Sequence, residues 1–133
     1  MASDHYEKVK GYLLDLDLSI THENEDEELF VVEDEDNGIK NLIIDCEDPI
    51  VILEQPILTV EREDAAFYKR LLQMNRNLVH GAFVLDDAGT RVIFRDTLQL
   101  SSLDPNELEA SISALSLALA ENSRELLENA KRS

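Results

Sequence analysis

Four consecutive aliphatic residues, Ile50-Val51-Ile52-Leu53, restrict this chain more than any other feature. Ile50, Val51 and Ile52 are β-branched, so the run favours extended backbone. In a strand, successive side chains point to opposite faces. Ile50 and Ile52 then lie on one face, Val51 and Leu53 on the other. Both faces are apolar, so the segment reads as a central strand covered on both sides. Asp48-Pro49 turns the chain just before it. Pro56 is expected to interrupt or edge the continuation through Ile57-Leu58-Thr59-Val60, because proline cannot donate to a ladder.

The remaining pattern is built around that strand. Tyr6, Val9, Leu13 and Leu16 recur at helical spacing, with Ser3 or Asp4 as a cap. Gly11 weakens this first helix by about 1 kcal/mol relative to alanine. Residues 23–28 read as a solvated acidic loop. Leu29-Phe30-Val31-Val32 is a short strand, Asn37-Gly38 a hairpin turn, and Ile39 to Cys46 the returning strand. A second helix opens between Glu61 and Asp64, and Gly81 fits its stop. Asp87-Ala88-Gly89 joins two further strands, Ala82–Asp86 and a run from Thr90 through Leu100. Asp104-Pro105-Asn106-Glu107 begins a long last helix, with Asp as N-cap, Pro at the first helical position and Glu at the third. Its stripe is Leu108, Ile112, Leu115, Leu119 and Leu126. The predicted order is α-β-β-β-α-β-β-α. This is an α+β domain with a mainly antiparallel sheet of about five strands and three helices. The 133 residues fit a single domain, 1–133.

Charge narrows the partners. There are 29 Asp and Glu against 12 Lys and Arg, a net charge of −17. Such a field repels phosphate backbones and anionic lipid, so neither nucleic acid nor membrane is an expected partner. It keeps a chain with exposed apolar patches in solution and favours basic partners. No apolar run approaches the ~20 residues of a membrane span, and Met1-Ala2-Ser3-Asp4-His5 has no signal-peptide character. A cytoplasmic location is expected. The only cysteine, Cys46, excludes an intramolecular disulfide.

No constellation for chemistry stands out. His5, His22 and His80 are scattered, without ligand spacing. Glu33-Asp34-Glu35-Asp36-Asn37-Gly38 resembles a calcium loop, but the twelfth position falls on Ile44, where a bidentate Glu is required. A solvated acidic hairpin tip is the better reading. Cys46 shares a strand face with Leu42 and Ile44 and reads as a buried, inert thiol. The four glycines are too far apart for a phosphate loop. The expectation is a non-enzyme with no catalytic residue, metal, cofactor or small-molecule substrate.

Attention therefore moves to the apolar residues. Three amphipathic helices and a two-faced strand supply more apolar surface than one small layer pair can hide. A homodimer is the simplest cover. The stripe Phe67, Leu71, Met74, Leu78 on the second helix is the candidate interface, unless it is the domain's own core. Val9, Leu13, Ile50 and Ile52 are candidates for holding a partner segment.

One resemblance follows from Leu71-Leu72-Gln73-Met74-Asn75, Gly81-Ala82-Phe83, the Asp87-Ala88-Gly89 turn, Leu98-Gln99-Leu100 and Leu103-Asp104-Pro105-Asn106-Glu107-Leu108 before a long helix. This arrangement resembles the type III secretion chaperone-like fold. That fold is shared by class I secretion chaperones, including the Tir chaperone group, and by the YbjN family of bacterial proteins. Motif agreement is confined to about residues 71–120, while the order of elements agrees over nearly the whole chain. The resemblance implies small, acidic, cytoplasmic homodimers that hold a partner's segment on apolar patches without ATP and without catalysis. It implies a structural hydrogen bond for Asn75. A YbjN-like protein on a chaperone-type scaffold fits better than genuine service to a secretion system.

The leading expectation is thus a chaperone-like or adaptor homodimer. The alternative is a bacterial regulatory or sensory-transduction protein that engages a basic partner through its acidic surface. Salt separates them, since charge contacts weaken with ionic strength and an apolar groove does not. An enzyme would need paired titratable groups in a cleft, and the spacing offers none.

Overall fold

The computed structural model describes residues 4–132. Ser3, one of the two candidate caps of the first helix, lies outside the described residues. The elements run α1 (Asp4–Asp15), β1 (Ser19–Asn24), β2 (Leu29–Asp34), a 3-10 turn (Glu35–Asn37), β3 (Ile39–Glu47), β4 (Ile50–Thr59), α2 (Ala65–Arg76), β5 (Ala82–Leu85), β6 (Arg91–Gln99) and α3 (Pro105–Arg132). The strands form one antiparallel sheet in the order β1-β2-β3-β4-β6-β5. The expected α+β architecture is present, with a sixth strand. β1 takes in Glu23 and Asn24, which the sequence had assigned to a loop. Its six residues are Ser-Ile-Thr-His-Glu-Asn, and only Ile20 and Asn24 are half-buried. An edge strand with so little to bury carries no apolar alternation.

The register shows which side chains share a face. Phe30 opposes Ile44, which opposes Leu53. Cys46 opposes Val51, which opposes Leu98; Gln55 opposes Phe94, which opposes Phe83. These side chains point toward the helices and form one cluster with the buried faces of all three. Tyr6 of α1 stacks on Phe30, with ring centroids 4.6 Å apart. Its hydroxyl donates to Glu23 Oε2 (2.9 Å), which ties α1 to β1. Ser111 of α3, itself buried, donates to Asp96 Oδ2 on β6 (2.7 Å). Aromatics are few, so the core is mostly Leu, Ile and Val.

The helices therefore lie on one side, and the two-faced reading of Ile50–Leu53 needs correction. Val51 and Leu53 are buried, but Ile50 and Ile52 lie half-exposed on the uncovered face. Pro56 does not end β4. The strand continues to Thr59 with a register shift against β6 between Pro56 and Leu58. The β3–β4 ladder stops at Ile43 and Glu54. Beyond it, the buried Gln55 side chain substitutes for backbone. Lys40 N–H donates to Gln55 Oε1 (2.9 Å), and Gln55 Nε2 donates to the Gly38 carbonyl (3.1 Å).

Helix ends follow local chemistry. Asp64 caps α2 by accepting from the Ala66 and Phe67 N–H groups. Asp104 Oδ1 accepts from Glu107 N–H (2.7 Å) at the start of α3. α3 has 28 residues, about 42 Å at ~1.5 Å per residue. Gly81 does not stop α2, which ends earlier, at Arg76. Instead Gly81 has φ +73° and leads into β5 against the Phe94 ring, which an added Cβ would overlap. Asn75 has the structural role its position implied. It accepts from Phe83 N–H (2.7 Å) and donates to the Phe83 carbonyl (3.1 Å), completing the outer side of the edge strand β5.

Replacing Asn75 by alanine leaves both Phe83 backbone groups without that partner. The expected loss is about 1–3 kcal/mol in urea unfolding. Asn75→Asp, which cannot donate to the carbonyl, should also lose stability; an unchanged midpoint in either variant would contradict this role.

Candidate functional site

The expected site residues divide sharply by location. Val9 and Leu13 are fully buried beneath α1 and are core residues, because that face of α1 packs on β2. Phe67, Leu71 and Met74 are also buried, and Leu78 is half-buried against the same cluster. The α2 stripe thus serves the interior of the domain: its periodicity marks the inward face. The apolar residues that α2 and the following turn expose are different ones, Leu72 (71%) and Val79 (86%). Of the candidates for a partner segment, Ile50 and Ile52 alone reach the surface.

That surface is the uncovered face of the sheet, and it mixes charged and aliphatic side chains. Across the strands run Leu29, Asp45, Ile52 and Thr97, then Val31, Ile43, Glu54 and Arg95. Across β3 and β4 each charged side chain opposes an isoleucine (Glu47 and Ile50, Asp45 and Ile52, Glu54 and Ile43), so each half-covers its partner. Asp45 lies between Leu29 and Ile52, with Glu47 two residues along the same face. Desolvation first, and then the nearby Glu47, push its carboxyl up to about 6, and Oδ1 has no hydrogen-bond partner.

The other exposed apolar surface lies along α3. On one side, a groove of about 560 Å³ separates α3 from the end of α1, with Leu16 and Ile112 among its apolar lining and Leu117 at its mouth. On the other, a groove of about 790 Å³ runs between the second half of α3 and the end of β4, lined by Pro56, Ile57, Leu58, Leu119 and Leu127. The turn before β3 divides them. Ser116 donates to the Asn37 carbonyl (2.6 Å), and Gly38 faces the Leu119 side chain. Leu117 and Leu127 are 58% and 61% exposed. Neither groove was foreseen. Leu117 reads in the sequence as broadening the inward stripe of α3, but it faces out, and Leu127 has no pattern to mark it.

Charge is also unevenly placed. Residues 1–64 hold 20 of the 29 acids and only four of the 12 bases, while residues 65–133 hold nine acids and eight bases. The acidic part is α1 and strands β1 to β4, one contiguous side of the molecule. Its carboxylates do not gather into a metal site: among the described residues, no group of three or more His, Cys, Asp or Glu is arranged to hold an ion. The calcium-loop-like run is the end of β2 and a 3-10 turn, in which Asn37 Nδ2 donates to Asp34 Oδ2 (2.7 Å). Cys46 is buried, and burial pushes its thiol up to about 12, which suits an inert core residue. No described helix is long and apolar enough to cross a membrane.

A family model, CesT_Tir_1, matches residues 2–132. The chain belongs to the CesT_Tir_1 family. This is a type III chaperone family, and the membership accounts for the element order found here. Solved structures agree on the fold. YbjN from E. coli superposes with a TM-score of 0.70 at 14% identity, covering 91% of this chain and 92% of that one. An uncharacterized protein from Methanothermobacter thermautotrophicus gives 0.64 at 16% identity, with 95% and 99% covered. A chain of the heterodimeric ExoU-SpcU complex, from the type III secretion system of Pseudomonas aeruginosa, gives 0.53 at 18% identity, with 69% and 75% covered. No curated protein matches the chain in sequence.

Asp45 yields a pH prediction. Its folded pKa is raised above the ordinary carboxylate value, so the folded chain binds the proton more tightly than the unfolded chain. Stability therefore falls as pH rises from about 4 through about 6. Asp45→Asn removes that penalty. The variant should unfold at higher temperature than the parent near neutral pH and match it near pH ~4; equal melting curves at both values would refute the assignment.

Proposed function

We propose that this protein is a non-enzymatic, chaperone-like or adaptor module that holds a segment of a partner protein. The observation that carries this reading is the pair of grooves along α3 that present aliphatic side chains to solvent, open on a chain whose net charge is −17. A chain so charged stays dissolved while it presents leucines to solvent. Grooves of this size seat a few side chains of a peptide and leave the rest of it extended over the surface. The half-exposed Ile50 and Ile52 on the sheet face belong to the same proposal as further contacts. So does a homodimer, for which the exposed Leu72 and Val79 are the available apolar residues in place of the buried α2 stripe.

Family membership supports the reading, and one structural neighbour comes from a heterodimeric secretion complex. A YbjN-like role fits better than service to a secretion system. The superposition on YbjN covers nearly all of both chains, whereas the match to the secretion complex stops at about two thirds of this one. The regulatory alternative, engagement of a basic partner through charge, draws support from the acidic half of the molecule.

The full tagged chain, used as bait in a native extract, distinguishes these readings. A groove-held client should remain bound as a single dominant protein through high-salt washing, and light scattering should show a dimer. A partner released completely by salt would favour the regulatory reading, since a groove-held client keeps its apolar contacts and only weakens. A monomer that retains nothing at any ionic strength would end both.

A further inference from the structure

We propose that the groove between α1 and α3 docks a basic amphipathic segment of another protein, with its apolar side chains on Leu16 and Leu117 and its lysines or arginines on the carboxylates at the rim. The inference rests on the protein-binding reading above and names the partner's chemistry. The rim is formed by Asp15 and Asp17 after α1, Asp34 at the end of β2, and Glu109 on α3. Among the described residues, no lysine or arginine lines this groove. The ion pairs Lys10–Glu23, Arg70–Glu125, Arg95–Glu54 and Arg124–Glu128 all lie elsewhere. The floor, by contrast, is aliphatic, and Leu117 is 58% exposed at its mouth.

The chemistry of the occupant follows from the cost of the alternatives. An uncharged or acidic apolar segment would strip water from these carboxylates and give nothing back. A segment with cations beside its apolar residues compensates them at the rim, in partly solvated positions where such pairs are favourable. The surrounding field has the same sign, since residues 1–64 carry 20 acids and four bases, and it accelerates the approach of a cation. A second copy is a poor occupant of this acidic groove, because each copy carries −17; the homodimer proposed above uses Leu72 and Val79 on the less acidic half instead. The α3–β4 groove provides an internal control. It is apolar too, but its charged lining is one Asp36 and one Lys40.

The test uses the full chain and a fluorescent helical probe peptide with leucines on one face and lysines and arginines flanking them. A matched peptide has glutamates at the flanks. The basic probe should bind and the acidic one should not. Asp15→Asn, Asp17→Asn and Glu109→Gln should each weaken binding roughly two- to fivefold at low salt and flatten its salt dependence. Asp17→Asn is benign to the fold, because Asp17 has φ +59°, which asparagine tolerates. Leu117→Ser should weaken binding roughly tenfold or more and leave the salt slope unchanged. Leu127→Ser, in the other groove, should have no effect. Equal affinity for both peptides, or parental affinity in the rim and Leu117 variants, would overturn the proposal. So would a dimer that Leu117→Ser converts to monomer, which would give the groove to a second copy. A native partner still captured by these variants would remove the groove assignment and leave the binding-module reading standing, because that capture would then not depend on this groove.

Discussion

The fold depends on β4. It is the one strand bonded to both halves of the sheet: β3 on one side, from the β1–β4 meander, and β6 on the other, from the hairpin that follows α2. Its inward row of Val51, Leu53 and Gln55 is buried under α3. The third member of that row is polar, and its amide sets the shape of the molecule nearby. By pairing with Lys40 and Gly38, Gln55 satisfies backbone that the interrupted ladder would leave open. The start of β3 can then diverge from β4, and the opened wedge is the α3–β4 groove. A buried glutamine thus converts a break in the sheet into a binding-sized recess at little cost in unsatisfied polar groups.

The uncovered sheet face is stable for a different reason. A bare aliphatic face of this size would drive aggregation. Here Glu47, Asp45 and Glu54 lie opposite Ile50, Ile52 and Ile43 across β3 and β4, and the aliphatic groups are only half-exposed. The arrangement has its own cost, seen at Asp45, whose carboxyl is lifted toward neutrality by the apolar side chains that flank it. Solubility and carboxylate desolvation are therefore linked on this face: spacing acids among aliphatics protects the latter and dehydrates the former.

Much of this was legible in the sequence, where local chemistry decides structure. Asp104-Pro105 announced the start of α3, and the Asp87-Ala88-Gly89 turn marked the β5–β6 hairpin; the structural hydrogen bond of Asn75 was implied by the family resemblance and not by local chemistry. What periodicity could not disclose is which neighbour a stripe meets. Phe67, Leu71, Met74, Val9 and Leu13 are stripes of the kind that interfaces use, yet the sheet covers them. Ile50–Leu53 had two apolar faces in sequence and only one covering layer in space. β1 escaped because a polar edge strand is specified by its partner's free hydrogen bonds, here those of β2, and not by its own side chains. The grooves escaped because they arise from how β3, β4 and α3 diverge, which no local pattern encodes.

The sheet edges limit how a partner can be held. Strand addition needs a run of unpaired backbone. At one end, β1 is short and bulged between Ile20 and His22, and its flank is strongly acidic. At the other, β5 has four residues, and Asn75 occupies the outward N–H and carbonyl of Phe83. Neither edge offers a long template. Inside the sheet, the β3 ladder stops at Glu54, and the second half of β4 lines a groove with Leu119 and Leu127. Accessible apolar side chains therefore gather along α3. A segment docked along α3 would rest on side-chain burial before any backbone pairing, which makes recognition a matter of which side chains it carries and, at the α1–α3 groove, where its charges fall.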